Sequence, residues 1–448
     1  MGGDIRKLAR RFVLTLGGEV MQSAFHFGLN IALVRTLSAE HYGVFAIIML
    51  MGGVSLTYVR ALVGMPVSLL VSQRRGTRAA RALETSFGSA ALVLSAVIAA
   101  VAATLIHYWL HADALSGASF VGLWSLRSYL RTTLLAQHRQ AYAGLSDLAL
   151  AVSGTVLALV FVGPGNAHPL DTALQVLGGA NLVAIAVAVV AQSEPVRITF
   201  RSSMRRRFRS LGRQLAWSAV STTTANAQAQ GLVLLVATFA GPRAYAPIAA
   251  MLVLFSPIRL MAVALVNMIQ PELATRLAEG RLPGFGKIML FWTAFTLAIG
   301  VAYGFAAAVA APLMGTTVFE GQSRLQIGLL VWVLTMTYLL SVVPRILLEV
   351  LREFRLIAVI SAVSACIGVS VVAILLATTS PSWTLIGNMI AETIVLAWSW
   401  IAVARVLRSA GAAVAITSPT PVADRAAQAR LPTRAGGVTL VVERGRGD

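Results

Sequence analysis

Twelve apolar stretches run through this chain, each long enough to cross a hydrocarbon layer roughly 30 Å thick. They lie at about 12–36, 43–72, 86–110, 117–137, 141–163, 170–192, 214–240, 245–270, 286–313, 325–346, 356–378 and 383–406. A backbone in lipid must satisfy its own N–H and C=O groups, which leaves helices or a closed barrel. Barrel strands would alternate apolar and polar residues over short segments, and that pattern is absent. Charged residues are 12% of the 448 and hydrophobic ones 57%, whereas soluble domains are about a quarter charged. The sequence therefore predicts an all-α polytopic membrane protein. Its first apolar stretch is too long, and too polar on one face, for a cleavable signal, and reads as the first span. The single cysteine, Cys366, excludes a disulfide framework or a cysteine metal site within one chain.

Charge sets the expected orientation. With both termini cytoplasmic, the cytoplasmic segments before the tail hold 21 Arg and Lys, and the opposite loops hold only Arg243 and Arg324. That is the positive-inside pattern. The formal net charge of +19 is thus explained by topology, without a nucleic-acid partner. The expected location is a bacterial inner membrane, crossed many times. The run "RITFRSSMRRRFRSLGR" at 197–213 reads as a cytoplasmic linker held by anionic lipid headgroups. The tail after Arg408, rich in Ala, Pro, Thr and Arg, reads as disordered.

The linker separates two similar halves. "ALVGM" at 61–65 returns as "ALVNM" at 264–268, and at the same offset Tyr42 matches Tyr245 and Leu8 matches Leu211. A second echo sets "RTTLL" at 131–135 against "RILLE" at 345–349. Six spans per half keep the repeats parallel, so the expected fold is two six-helix lobes related by a pseudo-two-fold axis. The expected boundaries are 1–196, 197–213 for the linker, 214–407, and 408–448 for the tail.

Polar groups inside the spans mark candidate sites. In "LGGEVMQSAFHFGLN" (16–30), Glu19, Gln22, Ser23, His26 and Asn30 share one helical face about 100° wide. In span seven Ser218, Thr222, Asn226 and Gln230 recur every four residues. The simplest expectation is that the two stripes face each other across a wet cavity; the plainer alternative is polar stitching between helices. Six arginines also lie within spans: Arg35, Arg60, Arg127, Arg131, Arg259 and Arg345. Each costs roughly 2.5–3.5 kcal/mol at a helix centre, and Arg35 and Arg345 sit near ends from which they can snorkel. Arg60 and Arg259 lie at nearly equivalent mid-span positions of the two repeats, and two guanidiniums in a cavity suit a phosphate. The competing reading pairs the arginines with Glu19, Asp147, Glu349 or Glu392, but intramembrane acids are too few to match all six. Glu392, four residues after Asn388 in span twelve, is a candidate coupling site for a proton or sodium ion, as is Glu19, or else an ion-pair partner.

Two stretches carry a family likeness. "LNIALVRTLSAEHYGVFAI" (29–47) resembles the first loop of bacterial polysaccharide-export flippases, where an acidic residue precedes a Tyr-Gly pair, and "LRSYLRTTLLAQHRQAYAGLSDL" (126–148) is similar to their arginine-bearing fourth span. These proteins belong to the MATE-like MOP superfamily, with multidrug exporters and lipid II flippases. The resemblance implies two lobes around a cationic cavity, alternating access, and undecaprenyl-pyrophosphate-linked oligosaccharide as cargo for surface or exopolysaccharide synthesis. It places Arg35, Arg60 and Arg259 in the cavity by span position, while the spacing of Arg127 and Arg131, one helical turn apart, itself gives span four a second cationic face. From the residues alone, Glu19, His26, Asn30, Asn226 and Gln230 are the polar lining suited to sugars. No cofactor is called for; H+ or Na+ gradients and the membrane potential are the open candidates for driving force. Other glycan-assembly membrane proteins are the expected partners.

Three rivals stand beside this reading, the least economical being a scaffold without transport, for which polar stripes and buried arginines would be wasteful. A cation-coupled drug exporter of the same superfamily would want an acidic or apolar cavity. A glycan polymerase or ligase would want a large catalytic outer loop. Here those loops are as short as "LSAEHYG" and "ATTSPSW", and no paired carboxylates, nucleophile elbow or metal cluster appears. A non-enzymatic transporter is expected.

Overall fold

A computed structural model describes residues 2–67, 78–137, 139–163, 166–191, 202–258, 262, 273, 285–315, 317–320, 322–351 and 353–417. Twelve long helices occur among them. The first half holds α1 (Gly2–Thr36), α2 (Ala39–Val59), α3 (Arg78–Leu105), α4 (Ala114–Ala136), α5 (Gln140–Phe161) and α6 (Pro169–Val190). The second holds α7 (Ser202–Phe239), α8 (Gly241–Leu254), α9 (Phe285–Ala310), α10 (Arg324–Val350), α11 (Phe354–Thr378) and α12 (Leu385–Thr417). Single π turns extend α2 (Arg60–Gly64) and α3 (Ile106–Leu110). By contact, residues 1–402 form one unit and 403–448 another.

Helix starts follow local chemistry. Ser38 caps α2 by accepting from the His41 N–H at 3.3 Å. Asp113 caps α4 by accepting from the N–H groups of Leu115 at 3.1 Å and Ser116 at 3.2 Å. Proline, which needs no donor in a first turn, opens α6 and α8. Two starts and stops differ from expectation. Helix α7 begins at Ser202, inside the basic run, because arginine is a good helix former and charge alone does not stop a helix. Helix α12 continues to Thr417, into the stretch expected to be disordered; 418–448 lie outside the described residues, as does the linker before Ser202.

Eight of the helices are long and apolar enough to cross a membrane: α2, α3, α5, α6 and α9 through α12. Lipid-facing side chains such as Leu290, Phe305 and Val309 are more than two-thirds exposed. Among the described residues the other four, α1, α4, α7 and α8, fall short. Three of these carry the polar stripes or the arginine pair, and α8 is short, ending at Leu254. Low hydropathy thus picks out helices that turn polar faces inward.

The halves meet through α2, which packs on both α7 and α8. At its start Gly43 lies against the Pro242 carbonyl so closely that a Cβ would overlap it. Tyr42 and Tyr245, the repeat equivalents, are both buried there and within electrostatic reach of each other. Val34 joins the closure, its carbonyl accepting from Thr317 Oγ1 at 3.4 Å. The end of the molecule that charge assigns to the outside is therefore closed.

Helix α8 stops at Leu254, just before Pro257, whose ring cannot continue the hydrogen-bond ladder. The Leu254 carbonyl accepts instead from Tyr303 Oη at 2.6 Å. Tyr303→Phe should cost about 1 kcal/mol, read as a melting temperature a few degrees lower in detergent.

Candidate functional site

The stripe on α1 turns towards α4 and α5 of its own half. Asp147, on α5 and wholly buried, accepts from Arg127 Nη2 and from Arg131 Nε at 2.9 and 3.1 Å. Arg131 Nη1 reaches Glu19 Oε1 at 2.9 Å, and Arg127 Nη2 also donates to Gln22 Oε1 at 3.1 Å. Two guanidiniums and two carboxylates make a formally neutral cluster. Arg127 is 2% exposed, whereas the Glu19 side chain is 43% exposed and reaches the cluster's open edge. Gly18 makes room: a Cβ there would strike the Asp147 carboxylate. Among the described residues Arg127 Nε and Arg131 Nη2 are buried without a hydrogen-bond partner. The cause of the pairing is general: a buried charge is tolerated when an opposite charge and hydrogen bonds meet it.

His26, one turn further along α1, stacks on Trp124 of α4 at 5.4 Å between ring centroids. Asn30, 6% exposed, donates to the His26 carbonyl at 2.8 Å and accepts from Tyr42 Oη at 3.4 Å. It thus belongs to the closed end. Arg35 lies exposed in the last turn of α1, its backbone beside Gly315.

The stripe on α7 meets α2. Asn226 Nδ2 donates to Thr57 Oγ1 at 2.7 Å, the Tyr58 and Thr223 hydroxyls bond at 2.7 Å, and Ser218 Oγ donates to the Ala61 carbonyl at 3.3 Å. The Ala61 carbonyl lies in the π turn, where the ladder is irregular and π turns concentrate at functional sites. Gln230 is half-buried further along α7. The two first-helix stripes thus bond to α4, α5 and α2, and no hydrogen bond between them occurs among the described residues.

Arg60 opens the π turn and is exposed. Eighteen residues make five helical turns, so Arg60 lies on the same face of α2 as Tyr42, which touches α1. Thr57, three residues earlier, touches α7. Arg60 therefore lies on the face of α2 that carries Tyr42, within a turn of Thr57 and its bond to α7, and among the described residues it has no ion-pair partner. Its proposed companion Arg259 lies outside the described residues. Glu392 is buried in α12. Arg345 and Glu349, one turn apart on α10, are electrostatic neighbours.

Of the sequence-derived candidates, the structure brings together Glu19, Arg127 and Arg131, places Asn226 on the inter-half seam, and leaves Arg60 apart. Asp147, expected only as one possible partner of the arginines, is the hub that pairs with both Arg127 and Arg131. Its signal in the sequence was a carboxylate inside an apolar span, six residues along α5 from Ala141.

No protein-family model and no curated protein matches the sequence. Solved structures do match in fold. An inward-facing multidrug resistance MATE family transporter of the MOP superfamily superposes with a TM-score of 0.66 at 12% identity, over 87% of this chain and 96% of that one. The outward-facing conformation of such a transporter gives 0.57 at 14% identity, over 90% and 96%. A point mutant of the Vibrio cholerae MATE transporter VcmN gives 0.60 at 16%, over 90% and 97%. The chain has the two-lobe, twelve-helix fold of these transporters.

Proposed function

From that fold as premise, we propose that the chain is an alternating-access transporter that flips undecaprenyl-pyrophosphate-linked oligosaccharide from the inner to the outer leaflet, for surface or exopolysaccharide synthesis. The observation that carries this reading is Arg60, an exposed guanidinium one turn from the Thr57–Asn226 bond that joins the halves, without a carboxylate to neutralise it among the described residues. A pyrophosphate supplies the missing anion, and Arg259 of the second repeat is its proposed second ligand. Thr57, Asn226 and Gln230 offer neutral hydrogen-bonding groups to sugar hydroxyls. Glu19, at the open edge of the neutral cluster, is the proposed point at which a proton or cation gradient couples to movement.

The test is flipping of a fluorescent lipid-linked oligosaccharide in proteoliposomes. A charge-assisted hydrogen bond is worth about 1.5–3 kcal/mol, so Arg60→Ala should weaken cargo binding on the order of tenfold to a hundredfold, with Arg60→Lys in between and folding retained. Unchanged flipping in Arg60→Ala removes the assignment.

A second reading, export of organic cations, is favoured by the neutral Glu19–Arg131–Asp147–Arg127 cluster, which removes two arginines from the cationic surplus. The same liposomes decide between them. Efflux of a cationic dye without lipid-linked sugar flipping selects the exporter.

A further inference from the structure

A proline that interrupts a helix leaves a carbonyl without its backbone donor, and two such carbonyls are covered here in different ways. In the second half, Pro257 has no N–H and the Ile258 N–H goes to the Phe255 carbonyl at 3.3 Å. The Leu254 carbonyl takes the Tyr303 hydroxyl instead, at 2.6 Å, so donor and acceptor belong to the same half. In the first half, Pro66 follows the π turn Arg60–Gly64. A regular α-helix there would deprive the Leu62 carbonyl of its donor and press the proline ring against it. The π turn moves the gap back by one residue. The Met65 N–H reaches past Ala61 to the Arg60 carbonyl, and Pro66, which π spacing sets against Ala61, has no N–H.

The Ala61 carbonyl is therefore cut off from backbone donors at both spacings. Its donor is Ser218 Oγ of α7, at 3.3 Å, from the other half. Ala61 lies eighteen residues beyond Gly43, roughly 27 Å along α2, so α2 meets the second half near both of its ends. Between them the Thr57–Asn226 and Tyr58–Thr223 bonds, both 2.7 Å, continue the same seam. Thr57 is exposed, and water can satisfy such side chains once they part. Ala61 is 8% exposed, and a buried carbonyl left without a donor costs more than the bond itself contributes.

We propose that Pro66 and Ser218 form a register clasp between the halves. While α2 and α7 are joined, Ser218 covers the Ala61 carbonyl and the π turn persists. When they part, that carbonyl loses its donor. The Met65 N–H then returns to Ala61, the turn becomes plain α-helix, and the gap passes to Leu62. A register change of one residue is a rotation of about 100°, so the exchange turns Met65, Pro66 and Val67 against the rest of α2. The second half thereby sets the register of the first. Leu254 shows the contrast: a donor from the same half stays in place when the halves move, and Ser218 does not. The clasp rests on the alternating access proposed above and not on which cargo crosses.

The test uses the full chain in lipid nanodiscs, with Cys366 replaced by Ser. Spin labels are placed at Leu92→Cys on α3, which packs on the π turn, and at Val359→Cys on α11, which packs on α7. Both sites are exposed. Electron–electron distance measurements should show the ratio of separated to joined molecules rising roughly tenfold in Ser218→Ala, the scale of a buried acceptor left without a donor. Ser218→Thr keeps the hydroxyl and should match the parent. Pro66→Ala restores the missing N–H, so in that background Ser218→Ala should change nothing further. Should Ser218→Ala fold poorly, Ser218→Val, which has the shape of threonine without its donor, is read against Ser218→Thr. A ratio that does not rise on loss of the hydroxyl, or one that rises as much with Pro66→Ala as without it, overturns the clasp. Failure of sugar flipping bears on the cargo and leaves this readout untouched.

Discussion

Asp147→Ala should destabilise the protein by about 3–5 kcal/mol, the range for removing one partner of a buried ion pair. The size follows from what is left behind. Arg127 is 2% exposed and loses the carboxylate that its Nη2 meets. Arg131 loses both of its Nε contacts and keeps only Glu19. Water cannot easily replace Asp147, because Gly18 brings the α1 backbone against it. Asp147→Asn retains hydrogen bonding but not charge, and should fall between. Restoring neutrality in the double variant Asp147→Ala, Arg127→Leu should recover part of the loss. Thermal unfolding in detergent reads all three. A melting temperature for Asp147→Ala within a degree or two of the parent would mean that the cluster carries little of the stability of this half. Glu19→Gln should cost much less, since Glu19 is 43% exposed and solvent screens its pair with Arg131.

That contrast explains what the sequence could and could not reveal. Span positions were legible because hydropathic length is a one-dimensional property. The stretch expected at 141–163 is Gln140–Phe161, and that at 170–192 is Pro169–Val190. The offset of the repeat was legible too, and Tyr42 and Tyr245 prove to be buried within electrostatic reach of each other where the halves meet. What one dimension withholds is adjacency. Periodicity put Glu19, Gln22 and His26 on one face, but nothing in it said that α4 and α5 would lie against that face and not α7. Asp147 looked like one acid among several until α5 packed on α1. The π turn at Arg60–Gly64 had no sequence signature beyond Pro66 nearby. It matters because Arg60 opens it while Ser218 of the second half holds the Ala61 carbonyl.

Gly43→Leu should abolish the proposed transport while leaving the protein folded. Glycine is needed at this position for closeness, since the backbone of α2 is ordinary helix here. Its Cα faces the Pro242 carbonyl, and a side chain would collide with backbone that cannot turn aside. Overpacking of this kind costs about 1–3 kcal/mol when a core must absorb it. At a seam between two bodies it is relieved by separation, so the strain becomes a bias against the closed state. The alternating access proposed for this chain needs that state in every cycle, and a carrier held apart at one end cannot complete the exchange. The expected readouts are two. Flipping or efflux in proteoliposomes falls to background. Ala246→Cys, on α8 and fully buried in the seam, becomes reactive to an impermeant maleimide in the Gly43→Leu, Cys366→Ser background, though it is protected when Gly43 is present. Gly43→Ala should give a partial form of both effects. If Ala246→Cys stays protected and transport persists in Gly43→Leu, the contact between α2 and α8 is not the closure through which the two halves exchange access.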